Sequence, residues 1–427
     1  MKWEKVKLGD VCKSIADGDH QAPKKQESGV PFITISNIDS NNRIDFKNCL
    51  YVSEEYYDAI NDKRKATKDD ILYSVVGSFG VPVLIKENIK FAFQRHIAIL
   101  RPDKAKIFPA FMYYCMLARE FYLQADSVAI GSAQRTITLG TLNNMQLTLP
   151  ALPIQKRIAS ILSAYDDLIE NNQKQIKLLE EAAQRLYKEW FVDLRFPGHE
   201  GVKIVDGVPE GWKKEKVSDM GRVVTGKTPN TENKQYYGGR IPFVKTPDMH
   251  NCVYPVTTES TLTKEGADRQ KNNYIPENSI MVSCIGTNVG LVNISNELCQ
   301  TNQQINSVIL DNIKDVYYMF FSMKKLRELL NGVGSNGTTM TNVNKTKFSN
   351  IEILYPDDKL REKYFALVDP MFKKVKWLSC SNRLLREARD RLLPKLMSGE
   401  MEVQDTPSHF ANAQCQPPFS GHEISLF

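Results

Sequence analysis

Three groups of residues in this chain have the types and spacing of enzyme sites. Gly332-Val333-Gly334-Ser335-Asn336-Gly337 fits the G-x-G-x-x-G pattern, in which glycines let the backbone approach the pyrophosphate of a dinucleotide. Gln416-Pro417-Pro418-Phe419 resembles a catalytic tetrapeptide that handles amino groups during methyl transfer. Six histidines and eight cysteines could supply metal ligands. Each group needs a particular structural context before it can do this chemistry.

None of the three groups has that context. The glycine pattern follows a predicted helix instead of a strand, so we interpret it as a polar loop. The tetrapeptide lies in 404–427, a stretch without Lys, Arg or periodicity that we predict to be a disordered tail. The histidines are scattered and no cysteines form a C-x-x-C pair. We therefore predict no catalytic site, no metal site and no cofactor bound by this chain.

A second set of residues could contact nucleic acid. Gln94, Arg95 and His96 lie in a predicted loop that corresponds to the loop holding Gln303 and Gln304. In the DNA major groove Arg can pair with guanine and Gln with adenine through two hydrogen bonds. The alternative is that these side chains cap a strand end or face water. A net charge of +6 permits nucleic acid as a partner without requiring it.

Smaller polar residues could contact phosphates. One candidate loop holds Ser132, Gln134 and Arg135, and another holds Ser335, Asn336 and Thr338. Their short donors and flexible backbone suit phosphate oxygens, although an ordinary solvated turn has the same composition. Lys227 and Thr228 would add a positive charge and a hydroxyl.

The residues that position these loops occur in a repeat. The segment Trp3–Asp10 returns as Trp212–Asp219, and Ile71–Gly77 returns as Ile280–Gly286. A repeat this long that occurs only twice predicts two similar globular units, at 1–152 and 212–357. Short apolar runs predict strands in each unit. One helix is predicted in each, over Phe108–Tyr122 and Val316–Leu330, so the fold class is α+β.

Each unit is followed by a long helix, predicted over 153–193 and 358–398. Apolar residues recur every seven positions over at least four heptads, which is typical of a coiled coil. Leu360, Leu367 and Ala388 lie beside this pattern, and Pro394 and Gly399 are expected to end the second helix. The predicted packing residues are Leu162, Tyr165, Ile169, Asn172, Ile176, Leu179 and Leu186 on the first helix, and Met371, Leu378, Leu385 and Leu392 on the second.

An amphipathic helix of this length needs a partner in water, and the nearest candidate is the other helix. If a pseudo-two-fold axis relates the units, the helices must pair antiparallel. Asn172 would then fix the register at some cost in stability. Proline and glycine mark 194–211 as a linker. Cysteines in apolar runs, and the lack of a long apolar segment, predict a cytoplasmic protein with no membrane contact.

With two similar units, each followed by a long heptad helix, the chain resembles the specificity subunits of Type I restriction-modification systems. The resemblance covers about residues 1 to 403. It rests on Leu149–Ile158, which opens the first helix, and on Leu392–Glu400, which closes the second. Pro209-Glu210-Gly211-Trp212 is a further match. The chain departs from the pattern at Tyr355–Leu360, where the second helix opens without the glutamine that the first one has at 155.

The resemblance implies that each unit is a target recognition domain that reads half of a split double-stranded DNA sequence. The paired helices would set the half-site spacing and receive two modification subunits, and restriction subunits would join the complex. S-adenosylmethionine, ATP and Mg²⁺ would be used on those other subunits, for DNA methylation and host defence. A rival interpretation is a coiled-coil scaffold with protein-binding globular ends. A self-sufficient methyltransferase or nuclease is disfavoured because the motifs it needs are missing.

Overall fold

The chain forms two compact units. In the computed structural model, residues 3–20, 23–39, 41–132, 134–286, 288–332 and 342–403 are described. The first unit runs from the N-terminus to Asp166 and resumes at Ala388. The second unit is Asp167–Glu387. Each unit therefore contains part of both long helices.

The first unit is built on a four-stranded antiparallel sheet and two smaller sheets. Its strands are β1 (Glu4–Lys7), β2 (Cys12–Asp17), β3 (Val30–Ile33), β4 (Leu50–Val52), β5 (Ile71–Ser74), β6 (Pro82–Leu84), β7 (Ala92–Phe93), β8 (Ile97–Pro102) and β9 (Gln146–Leu149). The main sheet has the order β2-β8-β5-β6, the second sheet β4-β3-β7, and β1 pairs with β9. β5 and β8 are apolar and almost wholly buried, as a central strand with both faces covered requires.

The second unit repeats this topology. After a short hairpin of β10 (Ile204–Val205) and β11 (Val208–Pro209), its strands are β12 (Lys213–Lys216), β13 (Gly221–Thr225), β14 (Tyr237–Val244), β15 (Ser260–Leu262), β16 (Ile280–Ser283), β17 (Val292–Ile294), β18 (Gln300–Thr301), β19 (Ile305–Leu310) and β20 (Glu352–Tyr355). The sheet orders are β13-β19-β16-β17, β15-β14-β18 and β12-β20. The predicted α+β repeat is confirmed strand by strand.

The helices of the two units also correspond, with one difference. They are α1 (Glu54–Ala59), α2 (Pro109–Leu117), α3 (Arg119–Val128), α4 (Leu139–Asn144), α5 (Leu152–Tyr187), α6 (Lys264–Asp268), α7 (Val316–Gly332), α8 (Lys345–Ser349) and α9 (Asp358–Met397). The single helix predicted over Phe108–Tyr122 is wrong, because Ala118 adopts an extended backbone and separates α2 from α3. This turn lets both helices bury apolar side chains, Phe111 and Cys115 from α2 and Phe121 from α3. In the second unit α7 is continuous, as predicted.

The long helices α5 and α9 have 36 and 40 residues. α5 ends in a π-helical turn, Lys188–Val192. The second helix was predicted over 358–398 and closed by Pro394 and Gly399; it ends close to that boundary, but Pro394 lies inside it. α9 continues to Met397, because Pro394 still accepts a hydrogen bond from the Ser398 amide at 2.9 Å. Gly399 follows with φ of +74°, the left-handed conformation that commonly ends helices.

Within the second unit α5 and α9 run antiparallel. Asn172 Nδ2 donates to Asn382 Oδ1 at 2.9 Å, and Tyr364 Oη donates to the Ala183 carbonyl at 3.2 Å. Residues further along α5 thus meet residues earlier on α9. Asn172 and Asn382 are both buried, so this polar pair lies inside the seam between the helices.

The heptad pattern locates the buried face of α5 better than that of α9. Of the predicted packing residues, Leu162, Ile169, Asn172 and Leu378 are buried, and the others are half-buried: Tyr165, Ile176, Leu179, Leu186, Met371, Leu385 and Leu392. The placement of Leu367 beside the seam is wrong, since it is 50% exposed and Val368 is buried in its place. α9 also packs against α7, where Phe372 lies 4.6 Å from the Tyr317 ring, and this wider contact shifts its buried face.

Candidate functional site

The turn between β7 and β8 presents Gln94, Arg95 and His96 at the edge of the first unit. Main-chain hydrogen bonds join this turn to two neighbouring segments. The Gln94 amide donates to Ile33 O at 3.0 Å, and the His96 carbonyl accepts from the Val75 amide at 2.9 Å. The Ile97 amide closes the turn by donating to Gln94 O at 3.1 Å. Arg95 is exposed, while Gln94 and His96 are half-buried.

The turn between β18 and β19 has the same backbone connections in the second unit. The Asn302 amide donates to Val244 O at 3.1 Å, and the Gln304 carbonyl accepts from the Cys284 amide at 2.7 Å. The Ile305 amide donates to Asn302 O at 3.2 Å. Gln303 is exposed and Gln304 is half-buried. Gln303 therefore holds the place of Arg95, and Gln304 that of His96.

A glycine beside each turn is required by close packing. The amides of Gly18 and Gly226 donate to the carbonyls of Ile97 and Ile305, both at 3.0 Å. A Cβ on Gly18 would lie 2.3 Å from the Phe93 carbonyl oxygen, and one on Gly226 would lie 2.1 Å from that of Asn302. Any other residue would push the turn away from the strand that ends just before the glycine, β2 or β13.

The residue after each glycine gives the two turns different charges. The amides of Asp19 and Lys227 make equivalent bonds to the Phe93 and Thr301 carbonyls, both at 2.9 Å. One turn thus has a carboxylate where the other has an exposed ammonium group. The Arg95 amide also donates to Asp19 O at 3.0 Å.

The carboxylates of Asp17 and Asp19, beside this turn, are bound by neighbouring side chains. His20 Nε2 lies 2.5 Å from Asp17 Oδ2, Arg64 Nη2 lies 3.1 Å from Asp17 Oδ1, and Tyr56 donates to Asp19. Burial, followed by the hydrogen bond to Asp19, raises the pKa of Tyr56. These contacts fix the Asp17 and Asp19 carboxylates next to the turn that holds Gln94.

The second unit has a neutral polar network in the same place. Thr228 Oγ1 donates to Gln303 Oε1 at 2.7 Å. Thr246 Oγ1 and Asn302 Nδ2 donate to Gln304 Oε1 at 3.1 and 3.0 Å. Lys227, Thr228, Gln303 and Gln304, which the sequence places far apart, are therefore brought together at one edge. Thr246 and Asn302 were missed in the sequence because neither stands in a recognisable motif.

The second predicted loop of the first unit lies on the other side of the segment after β5. Ser132 and Gln134 are exposed. Gly131 has φ of +103°, and a Cβ at this position would lie 2.7 Å from the carbonyl oxygen of Gln134. Arg135 pairs with Asp126 and lies over the Phe79 ring at 5.2 Å, so its charge is partly neutralised. The corresponding residues Ser335, Asn336 and Thr338 lie outside the described residues.

The chemistry of this edge is that of hydrogen bonding and charge. Among the described residues, no group of three His, Cys, Asp or Glu side chains is placed to hold a metal ion. None of the described helices combines the length and apolar character needed to cross a bilayer. Amide, hydroxyl and cationic groups on rigid turns suit recognition of a polar partner.

Comparison with known proteins identifies one family. The family model described as "Type I restriction modification DNA specificity domain" matches residues 1–181 and 209–374, one match for each repeat.

Individual relatives match over most of their length. The chain is 29% identical to the Type I restriction enzyme HindI specificity subunit of Haemophilus influenzae, over 93% of this chain and 99% of that protein. It is 26% identical to the Type I restriction enzyme MjaIX specificity subunit of Methanocaldococcus jannaschii, over 69% of each. The crystal structure of a Type I restriction-modification S subunit from M. genitalium has a similar fold, with a TM-score of 0.59 and 14% identity over 93% of this chain and 96% of that one.

Proposed function

The chain belongs to the family of Type I restriction modification DNA specificity domains, and from this membership we propose a division of labour among its parts. It is a specificity subunit that recognises a DNA target, and it is not the catalytic part of the enzyme. In our proposal each unit reads one half of a split double-stranded sequence through the turn before its β8 or β19 strand.

The observation that carries this proposal is the pair of equivalent turns with different side chains. Their backbones make matching hydrogen bonds to Ile33 and Val75 in one unit and to Val244 and Cys284 in the other. The side chains differ at every reading position, with Arg95 and His96 against Gln303 and Gln304. A constant backbone with variable donors and acceptors is what reading two different half-sites requires. We therefore expect the two half-sites to differ in sequence.

The long helices would set the distance between the half-sites. At 1.5 Å per residue the 36 residues of α5 span roughly 54 Å, enough for half-sites about one DNA turn, roughly 34 Å, apart. Removing one heptad from α5 and the facing heptad from α9 should shorten the spacer of the recognised sequence and leave the half-site bases unchanged. An unchanged spacer would count against this part of the proposal.

The helices would also receive the other subunits of the complex. Five large apolar side chains on α5 and α9 are exposed: Leu168, Leu178, Leu367, Trp377 and Leu384. These side chains would be available for contact with partner proteins. We propose two modification subunits and the restriction subunits as these partners, with S-adenosylmethionine, ATP and Mg²⁺ bound on them. We place the assembly in the cytoplasm.

Base-resolution methylation mapping tests the proposal. The complete system is expressed in a host without other methylases, and modified adenines are mapped across the genome. We expect a single split motif with two different halves. Exchanging Gln303 and Gln304 for the Arg-His pair of the first unit should change only one half of the motif. A scaffold with protein-binding ends would give methylation that does not depend on these residues.

A further inference from the structure

The side-chain amide of Gln304 has a fixed orientation. The Gln304 backbone amide, which can only donate, lies 3.2 Å from one polar side-chain atom of Asn302, so that atom must be Oδ1. The other polar atom of Asn302 is then the donor Nδ2, and it lies 3.0 Å from Gln304. The atom of Gln304 that it meets must accept, and is Oε1. This network assigns oxygen and nitrogen without ambiguity.

The carbonyl oxygen of Gln304 is already fully used. Asn302 Nδ2 and Thr246 Oγ1 both donate to it, at 3.0 and 3.1 Å, and a carbonyl oxygen has two lone pairs. Thr246 is only 5% exposed, so its hydroxyl stays on this acceptor and is not drawn away by water. Gln304 therefore offers a partner only the two N–H bonds of Nε2.

Gly286 lies next to this nitrogen. The nearest atom to a Cβ built on Gly286 is Gln304 Nε2 at 3.8 Å, and Gly286 has φ of +96°. A side chain at this position would be strained and would lie against the amide. Among the residues that the structure describes, none accepts a hydrogen bond from Nε2.

This geometry excludes the usual pairing of glutamine with adenine. That pairing needs Nε2 to donate to N7 while Oε1 accepts from the N6 amino group. With Oε1 occupied, the N6 group would face an oxygen that has no lone pair left. Guanine presents two acceptors, N7 and O6, at the same edge, whereas thymine presents one.

We propose that Gln304 is a donor-only reader that selects guanine at one position of the half-site bound by the second unit. This inference rests on the proposed function, since it names the base that one residue of the same turn recognises. It applies to the second unit alone, because His96 and Ile35 stand in the first unit where Gln304 and Thr246 stand in the second.

The test exchanges the donor for an acceptor of the same shape. Gln304→Glu keeps an oxygen for Asn302 and Thr246 but replaces Nε2 by a second oxygen, which can accept from the N4 amino group of cytosine. Assembled complexes with either chain are given randomised DNA, and the methylated sequences are counted. We expect one position to change from guanine to cytosine, with a change in preference of roughly 10- to 100-fold. Gln184→Glu, the same exchange at an exposed position of α5, should leave the motif unchanged.

A second variant tests the role of the occupied oxygen. Thr246→Val retains the shape of the side chain and removes one of the two donors, so a lone pair of Oε1 becomes available. We expect adenine to be accepted beside guanine at that same position. Circular dichroism and assembly with the partner subunits confirm that each variant is folded.

The possible outcomes distinguish a failure of this inference from a failure of the proposed function, the reading of a split DNA target. Two outcomes overturn the donor-only assignment and leave recognition of a split target standing. One is a split motif that Gln304→Glu does not change. The other is adenine, in the motif of the complex that retains Gln304, at the position that Gln304→Glu alters. The absence of any split motif overturns the proposed function itself.

Discussion

Gln155 and Arg361 hold the same place in the two repeats, and each donates a hydrogen bond to the carbonyl of a proline at the helix entry. Gln155 Nε2 lies 2.9 Å from Pro150 O, and Arg361 Nε lies 3.1 Å from Pro356 O. From the sequence, the second helix lacked the glutamine of the first. The structure keeps the contact with a different side chain.

Arg361 carries an additional role that Gln155 does not. It pairs with Asp315, both side chains being only 3% exposed, and its guanidinium lies 3.8 Å from the centre of the Tyr355 ring. Arg361→Gln should retain the bond to Pro356 but leave Asp315 buried without its charge partner. We expect a loss of about 3–5 kcal/mol in the free energy of unfolding, measured by urea denaturation.

Two further variants control this measurement. Arg361→Gln combined with Asp315→Asn removes both charges and should recover much of the loss. Gln155→Leu in the first repeat breaks only neutral hydrogen bonds and should cost about 1–3 kcal/mol. Equal costs for Arg361→Gln and Gln155→Leu would contradict the assignment of a charge-pairing role to Arg361.

The hydrogen bond between Asn172 and Asn382 should contribute more to register than to stability. Replacing either residue alone by Leu leaves the other amide buried without its partner, at a cost of about 1–3 kcal/mol. Replacing both joins two apolar side chains, and should restore or raise the thermal midpoint. Differential scanning calorimetry of the two single variants and the double variant gives the coupling energy. Strictly additive losses would show that the pair does not act as a unit.

Glu180 should make stability depend on pH. Burial raises the pKa of this carboxyl group, against the opposing effect of Lys324. Because the folded-state pKa lies above the unfolded one, the carboxylate costs stability once the pH exceeds the unfolded value of about 4.3. Glu180→Gln should therefore raise the thermal midpoint at pH 7, and the gain should vanish below about pH 4. Glu210→Gln, the same exchange at an exposed position, is the matched control for the loss of one charge.

Lys227 should contribute to DNA affinity without sequence preference. It is exposed beside Gln303, where the first unit has Asp19. Lys227→Gln should weaken binding about equally for all sequences, and should lower the slope of log affinity against log salt by about 0.9 if it contacts one phosphate. Fluorescence anisotropy with the assembled complex measures this slope. Lys213→Gln, at an exposed lysine on β12, is the matched control, and a slope unchanged by Lys227→Gln would exclude a phosphate contact.

The repeat and its strands were predictable because they follow from local sequence. The apolar runs around Ile71 and Ile280 match in type and order, and each forms the same central strand. The heptads located both long helices but misplaced Leu367, since a seven-residue spacing assumes one partner helix. α9 has a second neighbour in α7, and its buried face follows both.

The recognition network could not be predicted, because its members meet only in the folded chain. Thr246 and Gln304 are 58 residues apart, and the orientation of the Gln304 amide depends on Asn302 as well. The sequence indicated Gln304 as a possible contact to DNA. Which of its atoms remains available depends on distances that composition and spacing do not contain.

Main-chain hydrogen bonds fasten both reading turns to the rest of their units, at Ile33, Val75 and Ile97 in one unit and at Val244, Cys284 and Ile305 in the other. These main-chain hydrogen bonds do not depend on which side chains the turn carries. Substitutions at 94–96 and 302–304 can therefore change the side chains offered to DNA with little loss of folding stability. Proteins of this kind can acquire new target sequences while the rest of the fold stays the same.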